Sequence, residues 1–303
     1  MQKSTTKRIL ITGSNGFLGR NLIDYFMNNS NHKITTLSRT NSDFNIDLSE
    51  PFARFKVNFN SVIHCAGIAH QKSKNEDEII KTNFIGTLNL LQSLDGTKLE
   101  EFIFISTVSV YGSNNGELLD ESSPLNAQDP YGRSKILAER EIISWCELHK
   151  VRYLILRLPL IIGCNPVGNL LKIKKAINRS MFFLLDNGKA KRSMILAKDV
   201  GKFIQLAKTT GGIYNLTDGR NPTYKEISNA IARSLNKRYP KSIPYSLVKP
   251  FAAIGDKCKI IPFNSKTLTK LTETLTFSNS KATDAFPTWK PQPALKFINI
   301  IND

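Results

Sequence analysis

The chain has 303 residues, 41% hydrophobic and 22% charged, the proportions of a soluble globular protein able to bury one large core or two modest ones. Its net charge of +17 is lopsided: residues 1–150 carry 16 basic and 17 acidic side chains, residues 151–303 carry 26 and 8. The basic half suits a pyrophosphate or an anionic membrane surface. Nucleic acid is set aside, because no aromatic-interleaved basic stripe and no known nucleic-acid module is present.

Four scattered cysteines, Cys65, Cys146, Cys164 and Cys258, form no CxxC pair. A disulfide framework or metal site is therefore not expected, and a reducing compartment fits best. No apolar run reaches the length of a signal core or a membrane span. The expectation is a cytoplasmic protein with at most peripheral membrane contact.

In chain order, Arg8–Thr12 reads as a short β-branched strand, Gly13–Gly19 as a glycine-rich turn, and the following residues as a helix with Leu18, Leu22 and Phe26 on one face. Lys33–Leu37 and Ser61–Ala66 read as strands, Glu76–Leu94 as a helix, Glu101–Thr107 as a strand, Pro130–His149 as a helix and Tyr153–Leu158 as a strand. This alternation predicts an α/β fold, a doubly wound parallel sheet of Rossmann type covered on both faces, with ligands at its carboxyl edge. After Ile162 the regularity loosens. A helix is expected over Val167–Asn178, and another opens at Thr223, which has capping-box spacing to Glu226. Residues 1–165 are read as a dinucleotide-binding domain and 166–303 as a smaller substrate domain, with a segment near 193–215 able to return to the first. Ser246–Ile254 is apolar and reads as a helix buried in the small domain, with contact to a membrane or partner as the alternative.

Three motifs carry chemistry. Thr12-Gly13-Ser14-Asn15-Gly16-Phe17-Leu18-Gly19 joins a strand to a helix, the context in which such a loop cradles a pyrophosphate on a helix N-terminus. Tyr131 and Lys135 lie four apart at a helix start and share a face. A lysine cation near the phenol is expected to lower its pKa, making Tyr131 a base for a hydroxyl proton. Ser106-Thr107-Val108-Ser109 ends a strand, where a hydroxyl can meet the same substrate oxygen.

Together these residues resemble the extended short-chain dehydrogenase/reductases, the NAD-dependent epimerase/dehydratase group. His64-Cys65-Ala66-Gly67, Asn83-Phe84-Ile85-Gly86-Thr87, Asp47-Leu48, Arg157-Leu158-Pro159-Leu160-Ile161-Ile162-Gly163 and Trp289-Lys290-Pro291 extend the resemblance over nearly the whole chain. It implies that Thr107, Tyr131 and Lys135 are catalytic. It implies NAD(P) held by Gly13, Asn15, Gly16, Phe17, Leu18, Gly19, Ser38, Arg39, Asp47, Leu48, Cys65, Ala66, Gly67, Asn83, Ser106, Tyr131, Lys135, Pro159 and Ile161. It implies a nucleotide-sugar substrate held by Thr107, Ser109, Asn169, Leu170 and Arg192, with Met181–Leu185 beside its base, and a homodimer.

The chain departs from that pattern in three places. Val108 and Ser109 follow Thr107 where sugar-nucleotide 4,6-dehydratases carry Asp-Glu, so dehydration is not expected. The second strand ends Leu37-Ser38-Arg39 with no carboxylate to repel a 2′-phosphate, which tilts the cofactor towards NADP(H). Leu160 replaces the asparagine of UDP-glucose 4-epimerases and points to an O-antigen branch acting on UDP-N-acetylhexosamines. The expected activity is C4 epimerisation or reduction of a 4-keto sugar in surface polysaccharide synthesis. The alternatives are an alcohol or steroid reductase and a non-catalytic dinucleotide sensor.

Overall fold

The computed structural model describes residues 6–68, 75–207, 210–257 and 265–302, and leaves the side chains of 251–255, 257, 266 and 267 undescribed. Cys258 and the first five residues lie outside the described residues.

The order is β1 (Arg8–Thr12), α1 (Phe17–Asn29), β2 (Lys33–Ser38), β3 (Phe44–Asn45), β4 (Ser61–His64), α2 (Glu76–Ile80), a π-helical turn (Lys81–Ile85), α3 (Gly86–Ser93), β5 (Glu101–Thr107), β6 (Gly116–Leu119), α4 (Pro130–His149), β7 (Arg152–Leu158), β8 (Leu160–Ile162), α5 (Gly168–Asn178), β9 (Leu184–Leu185), β10 (Met194–Leu196), α6 (Ala197–Leu206), β11 (Gly212–Asn215), α7 (Tyr224–Ser234), β12 (Ser242–Ile243), α8 (Tyr245–Lys257), α9 (Ser265–Thr272), β13 (Leu275–Phe277) and α10 (Ser280–Ala285). Seven strands form one sheet in the order β11-β7-β5-β4-β1-β2-β3, all parallel. This is the expected α/β Rossmann-like architecture. The register aligns Thr12 with Leu37 and His64, so the loops after β1, β2 and β4 leave the sheet side by side.

Strand alternation sorts the core. Ile103, Ile105, Leu154 and Leu156 face α1 and α6, packing with Leu22, Phe26, Val200 and Phe203. Phe102, Phe104 and Ile155 face α3 and α4, with Leu90, Leu94, Ala138 and Ile142. Trp289, fully buried, packs edge-on against Phe203 and donates from its ring nitrogen to the Asp199 carbonyl, pinning the C-terminal tail to α6. A third cluster joins α5, α7, β8 and β10 through Leu170, Ile177, Met194, Ile227 and Ile231. The Thr223–Glu226 capping box at the start of α7 is present.

The expected helix over 76–94 is interrupted by the π turn, which inserts one residue into the ladder and is common at functional sites. Its middle residue, Asn83, is buried. The expected Ser246–Ile254 helix is α8, with Pro250 inside it. Of its first turn only Val248 packs inward, onto Leu185, Leu268 and Leu271, and Leu247 is exposed rather than buried.

Candidate functional site

The site forms where the loops after β1, β2, β4 and β5 meet the N-terminus of α4. Gly13 has φ +64, and a Cβ there would lie 2.7 Å from the Ala66 backbone. A Cβ on Gly19 would overlap the Gly13 carbonyl. The loop therefore passes closer to β4's exit than any other residue type permits. Gly13→Ala is expected to destabilise the fold by roughly 1–3 kcal/mol from backbone strain alone. Urea denaturation checks this, and an unchanged midpoint would refute it. Gly16 caps α1, with its N–H on the Gly13 carbonyl at 2.8 Å. Phe17 is half-buried and Leu18 buried, both packing on the core, while Asn15 is exposed and donates to the Thr40 carbonyl.

A buried hydrogen-bond chain locks this corner. The Ala66 N–H donates to Thr12 Oγ1 (3.3 Å), and Thr12 Oγ1 meets His64 Nδ1 (2.6 Å). His64 Nε2 meets Thr87 Oγ1 (3.0 Å), which donates to the Asn83 carbonyl (2.6 Å). Because the Thr87 hydroxyl proton is engaged, His64 must donate from Nε2 and accept at Nδ1. Burial, and then the Lys135 charge, push His64 down to about 3, so it is neutral. An unfolded histidine takes up a proton near 6.5, so between these values the unfolded chain binds a proton that the folded chain refuses. Stability therefore falls as pH drops through that window, by at most about 1.4 kcal/mol per pH unit from this group. Urea midpoints at pH 7 and pH 5 for the wild type and His64→Gln read the effect, and equal slopes would refute it.

Asn83 accepts from the Ile68 N–H (2.6 Å) and donates to the Ile68 carbonyl (3.2 Å) and Ser134 Oγ (3.0 Å). A Cβ at Gly67 would sit 3.0 Å from Asn83 Oδ1 and 3.5 Å from Lys135 Nζ. Gly67 thus leaves a cradle between them. Cys65 lies beside Lys135, and burial raises its thiol to about 12, so it is unreactive.

Asp129 caps α4 by accepting from the Gly132 N–H at 3.1 Å, and Pro130 follows at the first helical position. This sets Tyr131 in the first turn, with its phenol beside the Thr107 hydroxyl. Burial pushes Tyr131 up to about 12, against the pull of Thr107 and with a smaller push from Asp129. The expected lowering by Lys135 is absent. The Lys135 ammonium instead donates to the Ile105 carbonyl at 2.9 Å and lies 4.3 Å over the Phe104 ring. Burial brings Lys135 down to about 8, with Cys65 and Glu139 acting the other way. Thr107 Oγ1 also contacts Ser109 Oγ and accepts from the Ser109 N–H, both at 3.2 Å.

Ser106 faces the other way. Its hydroxyl is buried and donates to Glu139. Glu139 also takes a two-point bond from Arg157, at 3.2 and 2.7 Å, with both residues 2% exposed. Arg157 reaches Tyr111 Oη at 3.1 Å, and Tyr111 donates to Asn215 Oδ1 at 2.7 Å. The sequence reading puts Arg157 in the strand Tyr153–Leu158 but does not foresee this network. The available signal was an arginine inside an otherwise apolar strand.

The remaining candidates are placed as follows. Ser38 is half-buried at the end of β2, and Arg39 is exposed and close enough to help lower the Asp47 carboxyl, after the Ser49 bonds. Leu48 is buried under Gly86, not open to a ligand, and its carbonyl accepts from Asn89. Pro159 and Ile161 are half-buried beyond β7. Asn169 is exposed in the first turn of α5, whereas the Leu170 side chain is fully buried in the third cluster and can offer a substrate only backbone. The Arg192 guanidinium is half-buried and partly committed. It donates to the carbonyls of Lys191 (2.7 Å), Glu273 (2.6 Å) and Lys270, capping the end of α9, and lies 4.9 Å from the Tyr224 ring.

The space that a Cβ would fill at Gly67, between Asn83 and Lys135 and next to the glycine loop, fits a dinucleotide. The chain is 25% identical to UDP-glucose 4-epimerase of Vibrio cholerae, over 96% of this chain and 92% of that one. It is 25% identical to N-acetyl-alpha-D-glucosaminyl-diphospho-ditrans,octacis-undecaprenol 4-epimerase of Escherichia coli, over 82% and 78%. In fold it resembles the UDP-glucose 4-epimerase of Thermus thermophilus solved with NAD, with a TM-score of 0.72 at 20% identity over 97% of each chain. The sequence profile of the NAD dependent epimerase/dehydratase family matches residues 9–217, more than half of the chain, and the protein belongs to that family.

Proposed function

We propose that the protein is an enzyme that transfers a hydride at sugar C4 of a UDP-linked sugar, acting as a C4 epimerase in surface polysaccharide synthesis. The observation that carries this reading is the Tyr131 phenol placed beside the Thr107 hydroxyl near the glycine loop, with Lys135 one turn further along α4. Thr107 and Tyr131 would hold one substrate oxygen. Tyr131 takes the hydroxyl proton as the carbon is oxidised and returns it when the carbon is reduced. Lys135, with Asn83 and the Gly13–Gly19 loop, would hold the dinucleotide, which supplies the acceptor and donor of the hydride. Both curated relatives named above carry 4-epimerase names, which supports the reading. Val108 and Ser109, on the 3₁₀ turn after Thr107, provide no carboxylate for eliminating water.

A second reading, reduction of a 4-keto sugar with NADPH, is favoured by two observations. Tyr131 with its pKa raised to about 12 is a phenol, the form that protonates a reduced oxygen. The end of β2 at Ser38, with Arg39 next, has no carboxylate to repel a 2′-phosphate. Denaturing the purified protein and identifying the released cofactor separates the two. Near-stoichiometric NAD supports the epimerase. Little retained cofactor, with NADPH bound more tightly than NADH, supports the reductase. No nicotinamide dinucleotide bound under any condition would overturn both.

A further inference from the structure

From the last turn of α7 through β12 to the first turn of α8, the chain carries Arg233, Lys237, Arg238, Lys241 and Lys249 and no acidic residue. All five are exposed. Between them stand Tyr239, 55% exposed, Tyr245, 39%, and Leu247, 61%. The segment is built into the fold. Ser242–Ile243 pairs in parallel with Leu184–Leu185, the Leu184 N–H donates to the Lys241 carbonyl at 2.9 Å, and Val248 packs inward on Leu185 and Leu268. The cations and the apolar tips are thus the outward side of an anchored element.

We propose that this face docks on an anionic lipid bilayer. Lysine and arginine next to a lipid surface each add attraction to anionic headgroups, while tyrosine and leucine sit at the headgroup–acyl boundary. The charge selects the occupant. A second copy of the chain on this face would bring five more positive charges against these five, whereas a bilayer containing phosphatidylglycerol brings the opposite sign. Among the described residues no helix is long and apolar enough to cross a membrane, so the contact is peripheral. None of these side chains belongs to the dinucleotide or sugar site described above.

The test is co-sedimentation of the full chain with phosphatidylcholine vesicles and with vesicles of roughly one-third phosphatidylglycerol. Binding is expected to the second only. Two double variants, Lys237→Glu with Lys241→Glu and Tyr245→Ser with Leu247→Ser, are each expected to weaken it about tenfold. Thermal melts would verify that both remain folded, as exposed positions predict. Equal recovery with the two vesicle types would overturn the proposal. So would an unchanged partition for the Tyr245/Leu247 variant, since polyanion attraction alone would then account for binding. Sedimentation velocity showing a dimer that this variant dissolves would assign the face to a second copy. Tight binding of duplex DNA that both variants abolish would assign it to nucleic acid.

Discussion

Tyr131→Phe is expected to lower kcat by about 10²–10⁴-fold, the range over which a positioned acid or base accelerates proton transfer. The substitution keeps the ring at the start of α4 and removes only the hydroxyl that meets Thr107. The glycine loop, Asn83 and Lys135 are untouched, so dinucleotide affinity should stay within about twofold, a change too small to represent a lost hydrogen bond. Single-turnover rates and fluorescence titration with NADH and NADPH make the comparison. Turnover surviving near the wild-type rate would remove Tyr131 from the mechanism. Thr107→Val should give a smaller loss, because it deletes one of two groups on the same oxygen and leaves the phenol in place.

The second large effect concerns stability. Glu139→Ala leaves Arg157 charged, buried and with Tyr111 as its remaining side-chain partner, and removes the acceptor of the Ser106 hydroxyl. Breaking a buried pair from one side costs about 3–5 kcal/mol, whereas replacing both partners with apolar residues is often neutral. Glu139→Ala should therefore shift the urea midpoint strongly, and Glu139→Leu with Arg157→Met should recover much of the loss. A single-mutant cost below about 1 kcal/mol would mean that the pair is hydrated and structurally minor. The Glu139 carboxylate also helps hold the Lys135 pKa up. Glu139→Gln should move any activity limb governed by Lys135 to lower pH.

The long elements were legible because periodicity and caps both mark them. The bounds of β1, β5 and α4 agree with the sequence reading, and the start of α4 is signalled by Asp129 and Pro130. The short strands were not. β3, β9 and β12 have two residues each and exist only through partners elsewhere in the chain, β12 lying nearly sixty residues beyond β9. A two-residue strand has no period to detect. The π turn was equally hidden, since one extra residue in a helical run leaves the apolar pattern almost intact. Within the candidate site, motif spacing pointed to the glycine loop and to Tyr131 and Lys135 on one helix start, and the resemblance added Thr107. It could not say which way side chains turn. Ser106 and Thr107 are adjacent in β5, and alternation sends one under α4 to Glu139 and the other to Tyr131. Leu170 and Arg192 are expected substrate contacts by the family resemblance, which carries no information on what else they touch. Their partners, the third core cluster and the end of α9, are tertiary.

The grip of Arg192 on α9 sets up a competition. Its guanidinium satisfies carbonyls at Lys270 and Glu273 that the end of α9 would otherwise leave to solvent. An anion that recruits these same donors takes them from the helix, so its measured affinity is a difference between two sets of bonds. By reciprocity, if fraying the end of α9 strengthens the anion's hold on these donors, the bound anion favours that fraying by the same factor.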